Sequence, residues 1–267
     1  SAATGRITVD PGSADYYSVA TQNGGTESAD TAFTVTVSAF DEYGNTADGY
    51  AGAHTVKFTY TATNSPGGGS GASTPTIVAS EGLTFNATGV ATTVGTFQLV
   101  NSSETPTITA TDNADGTING TTAAITVNDG ALNFIRINSV AAGDTSAIND
   151  YTMTTDDTLV VHASQYDGHG NYIGDSPAGT AWAATGDFAT GDLSAAAGVS
   201  VTFQPNNVGT GTVTVDDPGL AGSPDDVTGT LTVNPGGVSY ILTTTDLAKW
   251  RASHKKHGVI IKAYDAD

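Results

Sequence analysis

Three times along the chain an alternating run of apolar and polar residues ends in an aromatic side chain, an aspartate and a turn. The runs lie at 33–45, 159–171 and 259–267, and their aromatic–aspartate pairs are Phe40-Asp41, Tyr166-Asp167 and Tyr264-Asp265. In the first two the turn closes on Gly44-Asn45 and Gly170-Asn171. Period-two alternation is the signature of a half-buried strand. Its return after 126 residues (167 − 41) marks a chain of repeated units, each a small fold of its own. Ahead of each run stands a short polar junction, Asp10-Pro11-Gly12, Asn128-Asp129-Gly130 or Asn234-Pro235-Gly236, followed by a further alternating segment. Proline and glycine punctuate chains in this way. The expected domains are therefore 1–128, 129–235 and an incomplete third over 236–267.

Within the units the expected strands are short and alternating. In the first, Val56, Phe58 and Tyr60 share one face while Lys57 and Thr59 take the other, and later strands are expected over 91–100, 107–111 and 123–127. In the second, 199–203, 211–215 and 229–233 alternate in the same manner. Residues 64–75 read as an inserted Gly/Ser/Pro loop. Helical periodicity is confined to 245–256, enough for one or two turns. These patterns predict an all-β chain of tandem antiparallel β-sandwiches.

The order strand, Asp-x-x-Gly-Asn, polar stretch with glycine, then a strand with an aromatic resembles bacterial immunoglobulin-like repeats of the invasin and intimin type, and more loosely filamin. Asp41-Glu42-Tyr43-Gly44-Asn45 is followed by Gly52 and Phe58, and Asp167-Gly168-His169-Gly170-Asn171 by Gly179 and Trp182. The closing Gly-x-x-x-Val-Thr-Val pattern stands at 209–215. The resemblance covers two units and the start of a third. It implies immunoglobulin-like sandwiches and an exported, cell-surface protein.

Composition narrows the function. Eight Lys and Arg against 27 Asp and Glu give a formal charge of −19 and a pI near 4.1. Nucleic acid and anionic lipid both require clustered cations, so neither is an expected partner. There is no cysteine, which excludes disulfide scaffolds, thiolate metal sites and cysteine nucleophiles. No run approaches the ~20 apolar residues of a membrane helix. The opening residues lack a signal segment, and an export signal is expected to have been removed or to lie outside the sequence.

The candidate chemistry is modest. Asp41, Asn45, Asp167 and Asn171 suit a φ > 0 turn in which Asp and Asn bond neighbouring backbone. The same residues, with Asp216, Asp217, Asp225 and Asp226 around a short loop, offer the hard oxygen ligands that calcium takes, and calcium is the one cofactor these residues suggest. The run from Asp112 to Gly116 superficially matches the start of an EF-hand but has Ala123 at the twelfth position. His54, His162, His169, His254 and His257 show no metal-binding spacing, and the basic segment 249–262 reads as an exposed loop. Asn86, Asn101 and Asn119 fit the N-glycosylation pattern. Nothing pairs a nucleophile with a base, and no enzymatic activity is expected.

The expectation is thus a structural or adhesive surface protein, a surface-layer or adhesin-stalk component. Its partners would be other copies of itself or further repeats. Two alternatives stand beside it. A carbohydrate- or receptor-binding module would need an exposed aromatic platform, for which Trp182, Trp250, Tyr43 and Tyr50 are the candidates. A filament subunit would complete the third domain with strands from another chain.

Overall fold

The protein is described by a computed structural model covering residues 8–67, 71–141, 147–237, 240–244 and 260–264. Two compact units emerge, Ser1–Leu132 with Tyr166–Ile173, and Asn133–Gln165 with Gly174–Asp267. Among the described residues the only helical elements are single 3-10 turns at Asp48–Tyr50 and Thr190–Asp192.

The first unit is a sandwich of two antiparallel sheets. One has the order β1 (Tyr16–Thr21), β3 (Val35–Phe40), β6 (Val90–Thr92). The other runs β5 (Ser80–Phe85), β4 (Gly52–Tyr60), β7 (Ile108–Asp112), β8 (Asn119–Thr121). Alternation decides which face is buried. Tyr17 and Val19 of β1 and Val35, Val37 and Ala39 of β3 point inward from the first sheet. Val56, Phe58, Leu83, Phe85, Ile108 and Ala110 meet them from the second. Tyr60, expected on the inner face with Val56 and Phe58, has the right parity but is 44% exposed, because β4 outruns the core there.

Two short strands close the unit: β2 (Thr26–Ser28) pairs with β9 (Thr126–Asn128) in parallel, Glu27 opposite Val127. The expected strand over 91–100 is broken. Glu81 accepts hydrogen bonds from the backbone N–H groups of Val94 and Gly95, which pulls the chain off the sheet, and pairing resumes only at the Phe33–Phe97 bridge. The base of the inserted loop is held by the Ser65 and Ser73 backbones, 2.9 Å apart.

The second unit repeats the plan. β10 (Leu132–Asn138), β12 (Leu159–Asp167) and β13 (Tyr172–Asp175) lie side by side, and β15 (Ser200–Phe203) pairs with β12. β14 (Ala181–Ala184), β17 (Val213–Asp216) and β18 (Asp226–Val227) form another sheet. β11 (Tyr151–Thr154) pairs in parallel with β19 (Leu231–Asn234), which also pairs with β16 (Gly209–Gly211). The run expected as one strand near 211–215 therefore divides at Thr212 between two sheets.

Registers coincide between the repeats. Phe33 faces Phe97 as Leu159 faces Phe203, and Glu27 faces Val127 as Met153 faces Val233. The last described strands pair in a similar register: β20 (Tyr240–Thr244) pairs with β21 (Ile260–Tyr264), Tyr240 opposite Tyr264 as Tyr16 is opposite Phe40. The antiparallel sandwich read from the sequence is present. The parallel pair in each unit is the addition. The helical segment expected at 245–256 lies outside the described residues.

Candidate functional site: the aspartate-clamped turns

At the end of β3 the chain turns through Asp41–Asn45. Gly44 has φ of 82°, a left-handed conformation that costs a residue with a Cβ about 1 kcal/mol or more. Asp41 is the hub. Its Oδ1 accepts from the N–H of Tyr43 (3.0 Å) and of Asn45 (2.8 Å), and its Oδ2 accepts from Asn45 Nδ2 (3.0 Å). The same Oδ2 accepts from the N–H of Gly12, 29 residues back in the junction, at 2.9 Å. Backbone bonds from Asp41 N to Asn45 O and Gly44 N to Asp41 O close the loop. A carboxylate accepting several N–H groups is stabilised as the anion. The Asn45 side chain first, then the Gly12 N–H, lowers Asp41 from its ordinary value to about 2.

The second turn reproduces this atom for atom. Asp167 Oδ1 accepts from His169 N and Asn171 N, both at 2.9 Å, and Oδ2 accepts from Gly130 N (2.8 Å) and Asn171 Nδ2 (2.7 Å). Gly170 has φ of 78°. This turn is part of the first compact unit and is more fully held there. Asn171 Nδ2 also donates to Val100 O (2.9 Å), Ser102 N donates to Asn171 Oδ1 (3.1 Å), and His169 Nε2 lies 3.5 Å from Asp30 Oδ1. Asn171 is buried, whereas Asn45 is exposed.

A carboxylate offers about four acceptor positions, and in Asp41 and Asp167 all four are taken by N–H donors. A cation at either would have to displace them. The other acidic candidates are brought together in part. The β17–β18 hairpin places Asp217 beside Asp225, whose Oδ2 accepts from Asp217 N at 2.7 Å. Asp217 itself accepts from Gln165 Nε2 and Gly219 N, each at 2.8 Å. Asp226 accepts from Ile137 N at 2.7 Å, and burial raises its carboxyl above the ordinary range. Asp216 is half-buried at the end of β17. Among the described residues no group of three or more His, Cys, Asp and Glu side chains converges as a metal would require.

The glycosylation candidates are solvent-accessible. Asn86 and Asn119 are exposed and Asn101 half-buried, with the carboxamides of Asn86 and Asn101 folded onto Thr88 and Ser103. Of the candidates for an aromatic platform, one is withdrawn from the surface. Trp182 is a core residue, 3% exposed, its indole N–H donating to Gly198 O at 2.7 Å. A strand position facing two sheets buries a large apolar ring. Tyr43 is exposed, Tyr50 half-buried, and Trp250 and the basic segment's side chains lie outside the described residues.

One cluster escaped the sequence reading. Tyr17 and Tyr50 share a hydroxyl–hydroxyl bond of 2.7 Å, both hydroxyls reach Asp112 Oδ2, and His54 Nδ1 lies 3.2 Å from the same oxygen with its ring stacked on Tyr50. Burial pushes Tyr17 up to about 12 and Tyr50 higher still. For Asp112, burial is the largest influence and acts upward. Bonds from Tyr50, the Asp115 and Ala114 N–H groups and His54 outweigh it, so the carboxyl is lowered. The hydrogen-bonded partners are 33 to 95 residues apart, and no local pattern announces them.

No family model matches the sequence, and no curated protein does. Among solved structures the chain is similar to InvD of Yersinia pseudotuberculosis, at 15% identity over 94% of this chain and 70% of that one, with a TM-score of 0.40. It is similar to the adhesin InvE of the same species at 13% identity, over 86% and 65% of the two chains, TM-score 0.34. The D0–D1 domains of intimin match at 16% identity, 81% and 95% coverage, TM-score 0.28. These are proteins of the type that the repeated turns resemble, while the β-sandwich assignment rests on the strand pairing itself.

Proposed function

We propose that the chain is a non-catalytic stretch of an exported cell-surface protein of adhesive type, built from immunoglobulin-like units in tandem. The observation that carries this reading is the clamp found twice with the same atoms, Gly12 to Asp41 and Gly130 to Asp167. Each fastens a junction to the strand end of its own repeat. A catalytic arrangement is rarely duplicated with the repeat, whereas a joint has to be. The acidic surface suits crowded extracellular copies, which repel and stay soluble. Antibodies raised against the chain are expected to label intact cells of its source. Labelling only after permeabilisation would overturn the surface assignment. Assembly of copies into a lattice or filament, with calcium bound in the acidic loops, extends the same reading. Negative-stain microscopy with light scattering, in calcium and then in chelator, tests it: ordered sheets that dissolve in chelator are expected, and dispersed chains in both conditions would sink it.

A further inference from the structure

The Tyr17, Tyr50, His54 and Asp112 cluster has no part in the clamps, and it gathers four metal-ligating groups at one point. They arrive from four elements: Tyr17 from β1, Tyr50 from the 3-10 turn Asp48–Tyr50, His54 from β4 and Asp112 from the end of β7. Tyr17 Oη lies 2.7 Å from Tyr50 Oη and 3.4 Å from Asp112 Oδ2. His54 Nδ1 lies 3.2 Å from that carboxylate oxygen, which Tyr50 Oη also reaches. A first-row transition ion with bonds of about 2 Å holds adjacent donors roughly 3 Å apart. The four atoms stand near that spacing already, so small rotations would turn them from one another onto a shared ion. Histidine and carboxylate alone do not make up a donor set here; the phenols complete it.

The surroundings hold the donors in place. Asp112 Oδ1 accepts from Ala114 N at 2.6 Å and Asp115 N at 3.0 Å, which leaves Oδ2 to the cluster. The buried Phe85 ring packs on all three aromatic donors, its centroid 5.9 Å from Tyr17, 5.0 Å from Tyr50 and 5.5 Å from His54. Backbone donors behind a carboxylate and an apolar wall beside the rings are the means by which proteins orient metal ligands. A cavity of about 460 Å³, lined by Gly12, Gly49, Tyr50, Asp115 and Ile118, lies beside Tyr50, and the His54 side chain is 27% exposed. The cluster is thus approachable from outside.

Donor chemistry selects the ion. Calcium and magnesium take oxygen ligands, and soft ions take thiolate or thioether, so neither class suits imidazole beside two phenols. Two phenolates and a carboxylate carry three negative charges, which balance a trivalent ion, and tyrosinate is a known ligand of iron. We propose that Tyr17, Tyr50, His54 and Asp112 bind one ferric ion, the two phenol protons passing to solvent and water completing the coordination from the cavity. This site is independent of the adhesive reading, and either can fail alone.

The full chain is titrated with ferric nitrilotriacetate and followed by visible absorption. A phenolate-to-iron charge-transfer band that saturates at one iron per chain is expected, and resonance Raman excited in that band is expected to show tyrosinate modes. Iron held by carboxylates on the acidic surface gives neither signal. Tyr50→Phe and His54→Gln, each checked for folding by circular dichroism, are expected to weaken binding about tenfold or more. Tyr43→Phe, in the exposed turn, is expected to leave the titration unchanged. No charge-transfer band or tyrosinate modes in the parent chain, or a titration left unchanged by either Tyr50→Phe or His54→Gln, overturns the proposal.

Discussion

Gly44 and Gly170 sit where a side chain is penalised by the backbone alone. A Cβ at Gly44 would meet nothing closer than the Tyr16 hydroxyl at 3.7 Å, so space is available and only the positive φ opposes it. Gly44→Ala is expected to lower stability by about 1–2 kcal/mol, and Gly44→Asn by less, in denaturant titrations. Asp41 adds a pH dependence. Its carboxyl titrates at about 2 when folded against an ordinary 3.8, so the folded state binds fewer protons between those values. Its contribution is complete above about pH 4 and is lost as pH falls through 2. Asp112, also lowered, acts in the same direction. Acid unfolding followed by circular dichroism is therefore expected to be shallower in Asp112→Asn than in the parent. Tyr50→Phe, which removes one donor to that carboxylate, is expected to cost about 1–2 kcal/mol at neutral pH.

Packing between elements depends on small residues at a few crossings. A Cβ at Gly120 of β8 would overlap the carbonyl oxygen of Tyr17 in β1. Gly120→Ala is expected to force these strands apart at a cost of about 1–3 kcal/mol, seen as a lower melting temperature without loss of the β spectrum. The strands themselves were legible in the sequence wherever alternation decided their buried face, as in β1, β3 and β4, and the Asp-x-x-Gly-Asn turns were legible because all their partners but one lie within four residues. What stayed hidden was long-range. Alternation reads the same in parallel and antiparallel pairs, so β2 with β9 and β11 with β19 could not be foreseen. The Tyr17, Tyr50, His54 and Asp112 cluster forms only once β1, β4 and β7 are layered. Trp182 was misplaced as a surface aromatic because a strand of alanines gives no sign of which face is covered.

Over the whole molecule, 27 acidic against 8 basic residues make repulsion between copies the dominant long-range force near neutral pH. Light scattering is expected to give a positive second virial coefficient in low salt that shrinks near 0.15 M, where the screening length is about 8 Å, and association is expected as pH approaches 4.1. The clamp has a different consequence at this scale. Both ends of the Gly130–Asp167 bond lie within residues 129–235, as both ends of the Gly12–Asp41 bond lie upstream of 128. Each clamp thus has both its ends in one continuous stretch of sequence. A duplication or deletion of either stretch would therefore carry its clamp with it whole.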